Sequence, residues 1–185
     1  MANTYSLIES ATVGSGGVAA ITLGTGGTIP QTYTDLRILM AARLVGNGDS
    51  FGNVLISFNG GPSGSVSRWN TLLGGAGSVG CIENTSQSSI TNNYSIVGSA
   101  ATASIFSVND LYIPNYTSTT VQKIVLGDNV GENSHVSEAR YSLMWGQWNP
   151  ATQAAITSIV LTSNYTASEL FAQHSTFYLY GIKKN

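Results

Sequence analysis

The sequence predicts an all-β protein: an antiparallel β-sandwich, jelly-roll-like, with about ten short strands and glycine-rich loops. We expect these strands to form a single domain over residues 1–185. Apolar and polar residues alternate with a period of two in several segments, as in strands that bury one face. Turns rich in glycine separate these segments, and the chain contains 21 glycines. No segment shows the periodicity of an amphipathic helix of three turns.

The first half of the chain contains two segments with clear alternation. In NVLISFNGG, Val54, Ile56 and Phe58 are predicted to point inward, and a glycine turn follows. In DLRILMAARLV, one predicted face is apolar and holds Leu36, Ile38, Met40, Ala42 and Leu44. The opposite face of this segment carries Asp35, Arg37, Leu39, Ala41 and Arg43. Further strands are predicted near residues 4–9, 18–23, 67–73, 105–113, 121–127, 156–161 and 174–182.

The segment EARYSLMWGQW also alternates, and it predicts a strand in the second half of the chain. The more apolar set is predicted to face the core: Ala139, Tyr141, Leu143 and Trp145. Two other segments are predicted to lack long strands. Residues 74–104 are small and polar, which indicates a long loop with at most one weak strand. TASELFAQ (166–173) is compatible with one short turn of helix.

The last strand, within STFYLYGIKK, raises a question about its second face. Phe177 and Leu179 are predicted to enter the core, while Tyr178 and Tyr180 point the other way. There are two alternatives. Either the two tyrosines face another sheet or subunit, or both faces of the strand are buried within one domain. Tyrosine is amphipathic and enriched at protein interfaces. We assign Tyr178 and Tyr180, together with Trp148, to a subunit interface.

The composition excludes several classes of function. Charged residues make up 9% of the chain, against roughly 25% in a typical soluble domain. The few basic residues form no stripe, so we expect no nucleic-acid binding. No apolar run is long enough for a membrane helix, and no secretory signal is visible, so synthesis in a cytoplasm is expected. A weakly charged surface suits close packing against other protein.

No pattern in the sequence predicts catalysis or a bound cofactor. GAGSVG (75–80) matches G-x-G-x-x-G, but the residues that follow are a poor helix, so a surface loop is the preferred interpretation. His135 and His174 are far apart and lack a neighbouring nucleophile motif. Cys81 is predicted to be an inert small residue, because nothing in the sequence lowers its pKa. We therefore expect that the protein is not an enzyme.

Two groups of residues are candidates for ligand binding. GDNVGEN (127–133) contains four oxygen-bearing side chains that suit Ca²⁺: Asp128, Asn129, Glu132 and Asn133. Turns stabilised by these residues explain the same pattern without a metal. We assign no metal site. The chain also has three tryptophans, Trp69, Trp145 and Trp148, and nine tyrosines. These aromatic residues either stack on sugars or lie in the core and in subunit interfaces. For Trp145 we expect a place in the core.

Several segments together resemble a family of small structural proteins from the virions of tailed bacteriophages. They include NTYSLIESATVGSGG, ITL, IPQTYTDLRI, LISFNG, LYIPNYTS, GEN and TFYLYGIKK, and they cover the chain nearly end to end. The resemblance implies a jelly-roll or β-sandwich module that assembles as a trimer. Such modules occur as capsid decoration (cement) proteins, as head fibres or as modules of tail fibres. The family has no catalytic residues to carry over.

Among these roles, we expect capsid decoration. The first and last predicted strands lie within a few residues of Met1 and Asn185, with no sign of a stalk or fibrous repeat. A homotrimer on the outside of a phage shell is therefore expected, with the major capsid protein or another virion protein as partner. Its location would be the virion, after synthesis in the host cytoplasm. The alternative is a tail-fibre or head-fibre tip that binds glycans on the host surface.

Overall fold

The computed structural model describes residues 4–46, 48–60, 66–75, 78–87, 89–131, 140–163 and 168–183, with the backbone alone in 66–75, 78–87 and at 94. This part of the chain holds fourteen strands and no α-helix. The strands are β1 (Tyr5–Thr12), β2 (Ala20–Leu23), β3 (Asp35–Ala42), β4 (Leu44–Val45), β5 (Phe51–Phe58), β6 (Val66–Gly75), β7 (Ser78–Gln87), β8 (Ile90–Val97), β9 (Ser107–Ile113), β10 (Lys123–Gly131), β11 (Arg140–Asn149), β12 (Ile159–Ser163), β13 (Leu170–Phe171) and β14 (Thr176–Ile182).

The strands form two main antiparallel sheets that pack face to face, which confirms the predicted all-β sandwich. The larger sheet has eight strands in the order β1-β14-β3-β9-β10-β11-β6-β7. The smaller sheet has four strands in the order β2-β12-β5-β8, and β13 pairs with β4 in a short ribbon. Because successive side chains of a strand alternate between faces, each sheet has one inner and one outer face. The terminal strands β1 and β14 are neighbours in the larger sheet.

The core lies between the two sheets and contains the residues that alternation predicted for β3, β5 and β14. From the larger sheet come Leu36, Ile38 and Met40 of β3 and Phe177 and Leu179 of β14, each at most 2% exposed. The smaller sheet contributes Val54, Ile56, Phe58, Ile159 and Leu161. Full burial of one such side chain stabilises the fold by about 1.5–3 kcal/mol. The predicted inward faces of these three strands are therefore confirmed.

The predicted inward face of β11 is wrong. Tyr141, Leu143 and Trp145 are 41–45% exposed, whereas Ser142, Met144 and Trp148 of the opposite face are buried. The reason is the close approach of β8: a Cβ atom on Gly146 would lie 2.2 Å from Cγ2 of Ile90. Only glycine fits at that inward position, so the face with the smaller residues turns inside.

Three segments that were predicted as loops, turns or a helical turn are strands or contain strands. Residues 74–104 contain the end of β6, all of β7 and β8, and then a turn. Asp128 and Asn129 lie inside β10 and not in a loop, and Leu170 and Phe171 form β13 where a helical turn was expected. Glycine, serine and asparagine disfavour strands intrinsically, but ladder pairing with neighbouring strands overrides that preference.

Candidate interaction face of the eight-stranded sheet

The outer surface of β9, β10 and β11 carries a contiguous set of exposed apolar side chains. Register places Leu126 opposite Trp145 on one side and Tyr112 on the other. Further along β10, on the same face, Val130 lies opposite Tyr141 of β11 and Val108 of β9. We call seven residues of this surface, each 41–56% exposed, the outer apolar face: Val108, Ile124, Leu126, Val130, Tyr141, Leu143 and Trp145.

The outer apolar face is large for a protein that stays alone in solution. If a large apolar side chain has a surface of about 200 Å², the seven half-exposed residues present roughly 600–700 Å² together. The largest apolar patch on a typical monomer is roughly 300–600 Å² and often functional. A patch of this size therefore makes the outer apolar face a candidate interaction surface.

The inner side of the same three strands is polar in part, and three of its polar residues join two residues of β8 in one hydrogen-bonded layer. Asn129 donates from Nδ2 to Oδ1 of Asn92 (3.1 Å) and accepts from Oγ of Ser142 (2.5 Å). Asn92 in turn donates to Oδ1 of Asn109 (3.3 Å), and Asn109 donates to the carbonyl of Ser95 (3.1 Å). All five residues are at most 3% exposed. These mutual hydrogen bonds offset the cost of burying amide groups without water.

Inward glycines allow this polar layer to sit close to the smaller sheet. A Cβ on Gly131 would lie 2.8 Å from Cε1 of Phe51 and 2.9 Å from Oγ of Ser107. Gly127 is similarly restricted, with Cγ of Met144 at 2.6 Å from a built Cβ. Glycine and asparagine occupy three inward positions of β10, so Val125 is its one inward apolar residue, and Ile124, Leu126 and Val130 lie outside. Glycines that recur at alternate positions were the sequence signal for this reversal.

A groove of about 630 Å³ lies on the outer surface over β9, β10 and β11. Its apolar and aromatic lining comes from Leu126, Leu143, Trp145 and Tyr112. Its charged lining comes from Arg37 of β3, Asp110 of β9 and Asp128 of β10. Trp145 and Asp128 were separate candidates in the sequence, where no pattern linked them to each other or to Asp110.

The charges in the groove do not balance. Asp110 and Asp128 are direct partners in the β9–β10 register, so two carboxylates face outward side by side. Arg37 forms an ion pair with Asp110, donating from Nε to Oδ1 at 2.7 Å and from a second nitrogen to Oδ2. The hydrogen bonds to Asp110 hold the pKa of Arg37 above its usual value. The groove therefore has one guanidinium, bound to Asp110, for two carboxylates, which leaves one negative charge in excess.

Hydroxyl groups around the groove already have protein partners. Tyr112 donates its hydroxyl to Oδ2 of Asp35 at 2.5 Å, and this bond, with burial, raises the pKa of Tyr112 to about 12. The hydroxyl of Tyr5 accepts a bond from Arg37 at 3.1 Å. Partial desolvation and then the nearby Asp128 carboxylate raise the pKa of Tyr141. The groove thus presents mainly apolar surface and unbalanced negative charge.

The structure separates the three residues that the sequence assigned to a subunit interface. Tyr178, 36% exposed, and the half-buried Tyr180 lie on the outer surface of β14, where their rings stack with centroids 6.5 Å apart. The strand is therefore not buried on both faces within this chain. Trp148 is 6% exposed and packs edge-on against Phe58 in the core, with ring centroids 5.4 Å apart. We therefore exclude Trp148 from the interface, and Trp145 takes the exposed position instead.

The other candidates from the sequence do not form a site among the described residues. His174 is exposed at a positive φ of 72°, where its backbone N–H donates to the carbonyl of Val13. Cys81 lies in β7, and Gly75 pairs with Ser78 across an antiparallel hairpin, where the dinucleotide motif needs a helix. His135, Glu132, Asn133 and the side chain of Trp69 lie outside the described part.

Asp128 and Asn129, which the sequence made candidates for Ca²⁺ but to which no metal was assigned, cannot act together, because they lie on opposite faces of β10. Asp128 is exposed on the outside, whereas Asn129 is 3% exposed on the inside. In the described part of the chain, no three acidic, cysteine or histidine side chains are grouped closely enough to hold a metal ion. The same part contains no helix with the length and apolarity needed to cross a membrane.

No protein-family model, no curated protein and no solved structure matches this chain. A proposal about function therefore depends on the geometry of the chain and on the resemblance of its sequence segments.

Proposed function

We propose that this chain is a non-enzymatic structural protein of a phage virion, a capsid decoration protein that attaches to the shell. The observation that carries the proposal is the outer apolar face, an exposed patch of seven large side chains. The segments that resemble tailed-phage virion proteins support the same role. The jelly roll that this resemblance implies is one form of the β-sandwich described above.

The energetics of the outer apolar face suit attachment to protein. At about 25 cal/mol per Å², covering such a patch is worth roughly 15 kcal/mol. Association itself costs about 4–15 kcal/mol, so a single footprint gives modest affinity. A homotrimer would present three footprints at once, and the high effective concentration of the second and third would make attachment tight.

The tyrosine pair of β14 remains our proposed contact between subunits of the trimer. Tyr178 and Tyr180 lie opposite Leu39 and Arg37 of β3, on the same side of the sheet as the groove. They are separated from the outer apolar face by β3 and part of β9. One surface strip can therefore join subunits while the other meets the shell.

Placing charged residues on the outer apolar face tests the proposed function. In particles of the phage that encodes this chain, Leu126→Asp combined with Leu143→Asp should reduce the copies per shell at least tenfold, because each aspartate would be buried unpaired on attachment. Copy number is measured by cryo-EM occupancy and by quantitative mass spectrometry of purified particles. Val121→Asp, at a site 50% exposed outside this face, is the matched control.

Full occupancy by the double variant, with a folded spectrum, would refute this role for the outer apolar face. The mass of each variant in solution reports the trimer separately. A trimer that persists in the double variant agrees with subunit contacts through Tyr178 and Tyr180.

A second candidate function is a fibre tip that binds host glycans. Trp145 and Tyr112 beside two carboxylates are a lining that sugars use for stacking and hydrogen bonding. Against this, Tyr112 and Arg37 already direct their donors to Asp35, Asp110 and Tyr5. A glycan array that shows binding lost in Trp145→Ala, with few copies on an appendage, would favour the fibre tip.

A further inference from the structure

We infer that the groove receives a basic side chain, a lysine or arginine that the partner protein presents from an apolar segment. This inference depends on the proposed function, because it names the chemistry of the partner that the outer apolar face meets. It rests on three observations: Asp110 and Asp128 lie side by side, aromatic side chains line the groove, and the chain's described basic side chains already have contacts within the chain.

The two carboxylates are a local cost that a bound cation would remove. Like charges directly opposite each other on neighbouring strands destabilise a sheet. Asp110 and Asp128 are such a pair, in a chain with only nine acidic residues. Arg37 lies one strand away and is bound to Asp110. A second cation above Asp128 would complete the charge balance.

The walls of the groove suit the apolar stem of a basic side chain. Leu126 lies at the centre, with Trp145 opposite it on β11 and Tyr112 opposite it on β9. Lysine and arginine lay their methylene groups along apolar surface and keep the charged end near polar groups. An ammonium or guanidinium group is also attracted to the face of an aromatic ring. The exposed apolar residues around the groove would cover the segment that carries this side chain.

A second copy of this chain has little to offer the groove from the basic side chains that the structure describes. Arg43 is buried and donates to the carbonyls of residues 101, 102 and 105. Lys123 is buried and donates to the carbonyls of residues 118 and 121. Arg140 and Lys183 lie over aromatic rings of their own chain, and Arg37 is in the ion pair. Because the basic side chains of the described residues already have contacts within their own chain, we infer that a different protein presents the cation.

A pair of matched peptides tests this inference on the full chain. The probes are acetyl-Gly-Val-Lys-Val-Gly-amide and the same peptide with neutral norleucine in place of lysine. Binding is followed by the NMR signal of the Trp145 indole N–H, which Trp145→Phe identifies. We expect the lysine peptide to bind about tenfold more tightly than the norleucine peptide. Raising the salt concentration should reduce this ratio.

The variant Asp128→Asn should bring the lysine peptide close to the affinity of the norleucine peptide. Asp49→Asn, at an exposed carboxylate outside the groove, is the control and should leave the ratio unchanged. Equal affinities for the two peptides, no shift of the Trp145 signal with either, or an unchanged ratio in Asp128→Asn would each overturn the inference. A Trp145 shift that depends on protein concentration alone would assign the groove to a second copy, and so overturn it too.

The proposed function can survive these outcomes. If Leu126→Asp with Leu143→Asp abolishes attachment to particles while Asp128→Asn attaches normally, the outer apolar face mediates attachment without a cation in the groove. If both sets of variants attach normally, the role of the face in attachment fails together with the inference.

Discussion

Two regions of the same eight-stranded sheet differ in how apolar and polar side chains are distributed between the inner and outer faces. Around β3 and β14, the inner face is apolar, with Ile38 and Leu179 fully buried. Across β9, β10 and β11, much of the inner face is asparagine, serine and glycine, while seven large apolar side chains point outward. The first half obeys the usual rule for a sheet with one wet face, and the second half reverses it.

The difference shows that hydrophobicity alone does not decide which face of a strand is buried. The β9–β11 half lies against β8, whose inward Asn92 bonds to Asn109 and Asn129. A layer of mutually bonded amides and glycines can pack closely and be fully satisfied. The apolar residues of the outer apolar face are then left exposed, while other apolar residues of these strands, such as Leu111 and Val125, still belong to the core.

The largest expected effect separates buried from exposed leucine in the two halves. Leu179→Ala removes a fully buried side chain from the core and should lower the free energy of unfolding by about 2–5 kcal/mol. Leu126→Ala, on the outer apolar face, should change it by less than about 0.5 kcal/mol. Chemical denaturation of both purified variants measures this difference. Similar losses for the two leucines would mean that Leu126 is part of the core.

The second prediction compares two glycines in the reversed half. Gly146→Ala would place Cβ against the branched side chain of Ile90, which cannot move away, and should cost about 1–3 kcal/mol. Gly127→Ala would place Cβ 2.6 Å from Cγ of Met144 and 2.9 Å from Cδ2 of Leu111; because the methionine side chain is flexible, its cost should be smaller. Thermal unfolding of the two variants gives the order. If Gly127→Ala proves the more damaging, the close approach of β8 does not control this face.

The smallest effect concerns Tyr112, on the strand where the two halves meet. Its folded pKa is raised from 10.0 to about 12, first by the hydrogen bond to Asp35. The contribution of Tyr112 is therefore fully present below about pH 10 and is lost as the pH rises through about 12, because the unfolded state releases the proton first. Tyr112→Phe should show a weaker loss of stability over this range, measured by urea unfolding against pH.

The comparison with Tyr112→Phe isolates one group. Burial lowers the pKa of Lys123, so its contribution changes in the opposite direction: it grows as the pH rises toward 10.5. Both proteins contain Lys123, and its effect cancels in the difference between them. Identical pH profiles for the two proteins would show that the Asp35 bond does not carry the alkaline dependence.

The candidate site was predicted from the sequence only in part. Alternation placed Trp145 in the core, which is the wrong side, and the oxygen-bearing side chains of GDNVGEN made Asp128 a candidate for Ca²⁺. The proximity of Asp110, Asp128 and Arg37 was not predictable, because 73 residues separate Arg37 from its partner Asp110 in the chain. Only the order β3-β9-β10 brings these three side chains to one surface.

The sequence by itself determined the fold class and the inner faces of β3, β5 and β14, because strong apolar alternation and glycine turns have few other solutions. The tertiary structure decided which face of β11 is buried and that residues 74–104 contribute strands. Those segments have weak or competing local preferences, so their contacts with β8 and the neighbouring ladders determine the outcome.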